Sequence, residues 1–282
     1  MRTYLECYPC VLRQAIEAAK MAQAKSSQER TIVNQTLNLL SALPDGTTPP
    51  EIGAQVHQIV RKVTGHSDPY VHVKQESTTM ALAMLPHLRT MIQSAPDHLE
   101  AALRLSIAGN VIDFGPKPNY DLWQEVQRIM KQDFAINDLE TLRDYLHNAQ
   151  SILLIGDNAG ETVFDRLLIE TMPKPVTYVV RGGAVLNDAT LEDAIAAGID
   201  KVAEIIDQGT RLPGVVLATC SPSFQARFQA ADLILAKGMG NYETLSEVPG
   251  PIFFLLKVKC TVISTDINAP VGSIVIKQGL SH

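Results

Sequence analysis

A chain of 282 residues, 46% hydrophobic and 19% charged, carries enough apolar material for a sizeable core and is not a disordered segment. Its net charge of -6 excludes a broad basic surface for nucleic acid or an anionic membrane, and no apolar stretch reaches the length of a membrane span. Four cysteines follow an N-terminus, Met1-Arg-Thr-Tyr-Leu-Glu-Cys7, that lacks the apolar core of a secretory signal; reduced thiols and a cytoplasmic location are expected.

Residues 1–148 read as an all-helical cap domain. Apolar residues recur at helical spacing in seven stretches. Val11, Ile16 and Ala19 mark the first, and Ile32, Thr36, Leu37, Leu39 and Leu40 the second, which stops at the Pro- and Gly-bearing loop 44–50. Ile52, Val56, Ile59, Val60 and Val63 mark a third, closed by Gly65. Met80, Leu82, Ala83, Leu85 and Leu88 mark a fourth, with Pro86 as a potential kink. Leu99, Leu103 and Ile107 lead to Gly109; Leu122, Trp123, Val126 and Ile129 form a sixth stretch, and Leu139, Leu142 and Leu146 a seventh.

Two features of this half carry potential chemistry. Cys7-Tyr-Pro-Cys10 offers two thiols. A zinc site wants four ligands, and His57, His66, His72 or Cys260 would have to complete it. A metal or redox pair is one reading, and two small packed side chains without chemistry is the other. The second feature is Gly109-Asn-Val-Ile-Asp-Phe-Gly115, in which Asn110 and Asp113 suit either an Asx turn at a helix end or a polar loop packed against a cleft.

From residue 149 the rhythm changes to strand then helix. Apolar runs occur at 152–155, 176–180, 202–206, 215–218, 233–236 and 261–264. Helical patterns lie at 163–172, 191–197, 224–230 and 253–258. Alternating β and α with near-continuous apolar strands predicts an α/β/α domain over 149–282, with a mostly parallel, doubly wound sheet. The loops after its strands share one edge, where open α/β sheets bind ligands. Gly156-Asp-Asn-Ala-Gly-Glu161 follows the first run, Arg181-Gly-Gly-Ala-Val-Leu-Asn-Asp188 the second, and Lys237-Gly-Met-Gly-Asn-Tyr-Glu243 the fifth.

Asp157, Asn158 and Asp188 are oxygen donors suited to one hard divalent cation with open water positions. Asp157 and Asn158 also suit a helix cap, with Glu161 in the first turn. Lys237 offers a point charge to a phosphate, with Gly238 and Gly240 admitting backbone N–H groups. A solvated surface lysine is the plainer expectation. A metal beside a lysine and a glycine turn is an arrangement for phosphoryl chemistry. The same loops would also serve a phosphometabolite- or nucleotide-binding protein without turnover.

These stretches, with Glu6-Cys-Tyr-Pro-Cys10, Val185-Leu-Asn-Asp-Ala-Thr190 and Phe254-Leu-Leu-Lys-Val-Lys-Cys260, together resemble the metal-dependent damage-control phosphatases, once a domain family of unknown function. The Cys7-x-x-Cys10 pair is similar to that of the family's cysteine-motif-bearing subfamily I. The resemblance implies a helical portion on an α/β/α domain, and hydrolysis of small phosphometabolites such as sugar phosphates or damaged esters with Mn, Ni, Co or Mg. It implies Asp157, Asn158 and Asp188 as metal ligands, with Asp157 and Asp188 at the chemistry; Asp157 is either a ligand alone or a carboxylate nucleophile. It implies Glu161, Gly240, Asn241 and Lys257 as substrate contacts, with Asn110 and Asp113 lining the same cleft; Lys237 joins the expected substrate contacts through the point charge it offers a phosphate. Met239 stands where the family usually has Gln, and Arg181-Gly-Gly where it usually has Arg-Asp.

Overall fold

Thr48-Pro-Pro-Glu51 illustrates how helices of the first half are written into the chain. The Thr48 N–H donates to Glu51 Oε2 at 2.8 Å, and the Glu51 N–H reaches back to Thr48 Oγ1. Pro49 occupies the first helical position and Gly65 closes the helix at φ +77°; a reciprocal cap, a proline start and a left-handed stop define both ends.

The structure is a computed structural model that describes residues 1–109 and 122–281. Helices α1 (Cys7–Met21), α2 (Ser26–Ser41) and α3 (Pro49–Thr64) enclose their own core of Val11, Ala15, Ile32, Ile52, Val56 and Val60. Next come α4 (Val71–Ser94), α5 (His98–Gly109), α6 (Leu122–Lys131) and α7 (Leu139–Asn148). Pro86 lies inside α4 without ending it. All seven helical stretches read from the sequence are helices.

One strand, β1 (Phe134–Asn137), lies in the stretch read as all-helical. It is followed by β2 (Ile152–Ile155), α8 (Thr162–Thr171), β3 (Val176–Val180), α9 (Leu191–Ala196), β4 (Glu204–Asp207), α10 (Pro222–Ala230), β5 (Leu233–Lys237), α11 (Gly238–Leu245), β6 (Ile252–Lys257), α12 (Thr261–Ile267) and β7 (Ile274–Gln278). The sheet order is β1-β7-β6-β5-β2-β3-β4, parallel throughout except where β7 runs against β6.

Side chains alternate across the strands, and both faces are covered. Leu154, Tyr178, Val180, Leu235, Phe253 and Leu255 join the core under α5, α7 and α8. Leu153, Ile155, Val179, Ile234, Phe254 and Leu256 join the core with Phe224, Phe228, Tyr242 and Ile263 on the other side. This double burial makes the strands near-continuously apolar.

Three local expectations are corrected. Residues 253–258, read as helical, lie largely in β6: a short apolar run buried on both faces has no period to separate the two states. Residues 215–218 form no strand but lead into a 3₁₀ turn, Leu217–Thr219. Residues 261–264 begin α12, not a strand. There Cys260 Sγ accepts from the Ile263 N–H at 3.5 Å, and Asn268 stops the helix at φ +57°; capping overrides the β preference of Thr, Val and Ile.

The strand order places the site. The chain turns from β2 to β3 on one side, and β5 later pairs with β2 on the other. The carboxyl ends of β2 and β5 therefore flank the point where the winding reverses, the crevice in which such sheets bind ligands.

Candidate functional site

Gly156 ends β2 against Tyr178; a Cβ there would collide with the Tyr178 hydroxyl. The next residues zip onto the loop after β3. Ala189 N–H donates to Asp157 O at 2.8 Å, Ala159 N–H donates to Asn187 O at 2.9 Å, and Asn158 and Asp188 form an isolated antiparallel bridge. Backbone pairing thus brings Asp157, Asn158 and Asp188 together. From the other side, Gly238 after β5 packs on the Asp157 carboxylate. It sits at φ +75°, and a Cβ would overlap Asp157 Oδ2. Gly238→Ala should therefore push Asp157 aside and weaken divalent-metal binding by roughly 10–100-fold, the scale of a lost supporting contact. Manganese titration calorimetry measures it, and unchanged affinity would mean that Asp157 takes no part in the ion site.

Arg181, at the end of β3, was the residue whose place in the site the sequence did not disclose. It is buried. Its Nε donates to Asp188 Oδ2 at 2.6 Å, and its Nη1 donates to Gln208 Oε1 at 3.1 Å and Asn241 Oδ1 at 3.2 Å. Among the described residues Nη2 has no hydrogen-bond partner, and it stands 3.7 Å from Asp157 Oδ1. Asn241 in turn donates to Gly156 O at 3.1 Å and Lys237 O at 2.7 Å. One guanidinium so ties the loops after β2, β3 and β5. Asn241, expected at the substrate, is buried and holds backbone.

Asp157, Asn158 and Asp188 line a cleft of about 320 Å³ whose opposite wall is α1 and α3. Gly240, Glu243, Cys7, Cys10 and Cys260 line it too. Burial first, then the charges of Asp157 and Asp266, push the Glu243 carboxyl up to about 8 against the pull of the N-terminal amine. Burial raises the Cys7 and Cys10 thiols as well, which disfavours the thiolate that redox or metal chemistry needs. Among the described residues no group of three or more His, Cys, Asp and Glu side chains is arranged to hold a metal. The Asp157–Asp188 set has only two members of those types, its third donor being an amide. Its chemistry fits a hard cation: three oxygen donors face a cleft, and two carboxylates against one guanidinium leave a net negative charge.

The other expected residues lie elsewhere. Lys237 is wholly buried, not solvated. Its Nζ pairs with Glu161, donates to Asp165 Oδ1 at 2.6 Å and donates to Ser106 O at 3.1 Å. Asp165, which sequence reasoning passed over, also accepts from Ser106 Oγ at 2.7 Å and from the Tyr178 hydroxyl at 2.8 Å. Glu161 and Lys237 therefore form a buried network beneath the Asp157 turn, and among the described residues they are not part of the wall of that cleft. Asp165 lies one helical turn after Glu161, a spacing that puts both on one face. Lys257 bonds Glu125 Oε1 at 2.6 Å; Arg128 foremost, with Lys257, holds the Glu125 carboxyl down to about 2. Asn110 and Asp113 lie outside the described residues.

Residues 3–275 match the model of the damage-control phosphatase ARMT1-like domain. An uncharacterised protein of Methanocaldococcus jannaschii is 35% identical over 96% of this chain and 93% of its own length. A damage-control phosphatase of Pyrococcus horikoshii is 35% identical over 98% of this chain and 97% of its own. One from Archaeoglobus fulgidus is 31% identical over 96% and 97%. The crystal structure of a DUF89 family protein from Pyrococcus horikoshii superposes with a TM-score of 0.91 at 34% identity, covering 99% of both chains.

Proposed function

Because the chain belongs to the family defined by the damage-control phosphatase ARMT1-like domain, we propose that it is a metal-dependent phosphomonoesterase of the cytoplasm. Its substrates are small phosphorylated metabolites, such as sugar phosphates and damaged or side-product esters. The Cys7-x-x-Cys10 pair assigns it to the cysteine-motif-bearing subfamily. One observation carries the reading: the bridge between Asn158 and Asp188 sets two carboxylates and an amide from separate loops against one cleft, at the reversal point of the sheet.

Asp157, Asn158 and Asp188 would hold the cation, with Mn, Ni, Co or Mg as candidates. A divalent ion supplies Lewis-acid polarisation of the phosphoryl oxygens and a nucleophile of lowered pKa. The protein's own contribution is electrostatic and positional. Arg181 fixes the Asp188 carboxylate through Nε and keeps positive charge beside Asp157. Two carboxylates and one guanidinium sum to about -1, so a bound dication leaves about +1, the sign an incoming phosphate monoester needs. Gly240 lies in the cleft wall, and its missing Cβ lets the Pro213 carbonyl pack there: a Cβ would collide with Pro213 O.

The test is inorganic phosphate release from a panel of sugar phosphates and an aryl phosphate, with each of the four metals and after EDTA treatment. Metal-restored release is expected. Binding of the same esters without any release would support the alternative, a phosphometabolite-binding protein that does not turn its ligand over.

A further inference from the structure

Arg61 and Arg211 meet across the same short piece of backbone. Arg61, on α3, donates from Nη1 to Ala184 O at 3.2 Å. Arg211 lies over the preceding residue: a Cβ on Gly183 would sit 2.5 Å from Arg211 Nε. Ala184 and Gly183 belong to the loop that continues to Leu186, Asn187 and Asp188 in the cleft wall. The two cations are close enough that Arg211, after burial, lowers the affinity of Arg61 for its proton.

Their surroundings compensate Arg61 only at a distance, through Asp68. Among the described residues neither guanidinium makes an ion pair within 4.0 Å, although the chain carries net charge -6. Asp68, the carboxylate Arg61 senses, is bonded by Lys74 at 2.7 Å. His57, one turn earlier on α3, is held neutral, down to about 3, by burial and by Arg61 itself. Arg211 is exposed and Arg61 half-buried, so both reach solvent. Two like charges held side by side repel, and paired guanidinium forks suit a phosphate or carboxylate.

We propose that Arg61 and Arg211 form an anion subsite outside the cleft's lining, against the loop that continues into its wall, which takes a second anionic group of the substrate whose phosphoryl end lies at Asp157, Asn158 and Asp188. The inference rests on the phosphatase reading of that cleft. Gly53 of α3 and Pro213 both line the cleft. Arg61 lies eight residues beyond Gly53 on the same helix, a rise of about 12 Å, and Arg211 two residues before Pro213. The subsite therefore favours elongated phosphorylated metabolites with a distal phosphate or carboxylate over compact monoesters.

The test is binding, so that it stands apart from turnover. The manganese-loaded protein is titrated with alkylphosphonates and with α,ω-alkanebisphosphonates of increasing chain length. The wild-type protein should bind a bisphosphonate of spanning length more tightly than the matched monophosphonate, by about tenfold for each guanidinium engaged. That preference should collapse in the Arg61→Gln, Arg211→Gln double variant and survive in Arg30→Gln, which removes an exposed charge elsewhere. Equal binding of mono- and bisphosphonates by the wild type, or a preference that persists in the double variant, would overturn the subsite. Absence of phosphate release from the panel of phosphate esters named above, with the bisphosphonate preference intact, would instead overturn the phosphatase reading alone.

Discussion

Asp188→Asn should reduce metal-dependent hydrolysis of an aryl phosphate by about 10³-fold while lowering the urea midpoint less than Asp188→Ala does. Removal of one charged ligand forfeits several kcal/mol of charge stabilisation, and each 1.4 kcal/mol is about tenfold in rate. The amide is the informative replacement because Asp188 has two jobs. It offers oxygen to the cleft and it accepts from Arg181 Nε at 2.6 Å. Asparagine keeps an acceptor for the guanidinium and loses the charge. Asp188→Ala should lose as much activity and in addition destabilise by about 3–5 kcal/mol, because it leaves a buried guanidinium without its main partner. Turnover retained in the asparagine variant would refute the ligand assignment, and an alanine variant as stable as the asparagine one would refute the Arg181 pairing.

The contrast between Asp188 and Arg181 shows what a linear reading reaches. Asp157, Asn158 and Asp188 are legible because each lies in the loop after an apolar run, and the ends of parallel strands share one edge whatever the strand order. Arg181 follows β3 directly, but its role depends on partners at Gln208 and Asn241, and an arginine after a strand has no chemistry of its own to announce. The seven helices of the first half were legible from period and caps. β1 was not: Phe134 and Ile136 are half-buried and Ala135 and Asn137 exposed, and four alternating residues are too few to register. β6 fails for the opposite reason, since five consecutive apolar residues, Ile252 to Leu256, alternate only between two cores. The reversal point between β2 and β5 is a property of pairing across some eighty residues, and nothing local encodes it. Lys237 stands at the same limit. Most lysines are exposed, and this one is buried because Glu161 and Asp165, more than seventy residues earlier, await it.

That burial makes Lys237→Met a sharp test of the geometry against the substrate-contact role expected from the sequence. In the structure the methionine would leave Glu161 and Asp165 facing one another in the interior without their cation. The expected cost is about 3–5 kcal/mol at neutral pH, a shift in Tm of about 10 °C for a chain of this size. The cost should also depend on pH with a definite sign. Burial, then the Asp165 and Asp157 charges, holds the Glu161 carboxyl above its ordinary range, against the pull of Lys237. A group raised in the folded state contributes stability that is complete below its unfolded value, here 4.5, and that drains away as pH rises through the folded value. Without Lys237 the Glu161 carboxyl binds its proton more tightly still. The gap between wild type and Lys237→Met should thus be small at about pH 5 and large at about pH 8, and Glu161→Gln, which carries no charge to bury, should remove most of that pH dependence in the methionine background. Urea midpoints at the two pH values read this directly. If Lys237 instead reaches the substrate, its replacement will raise KM and leave the midpoints where they were.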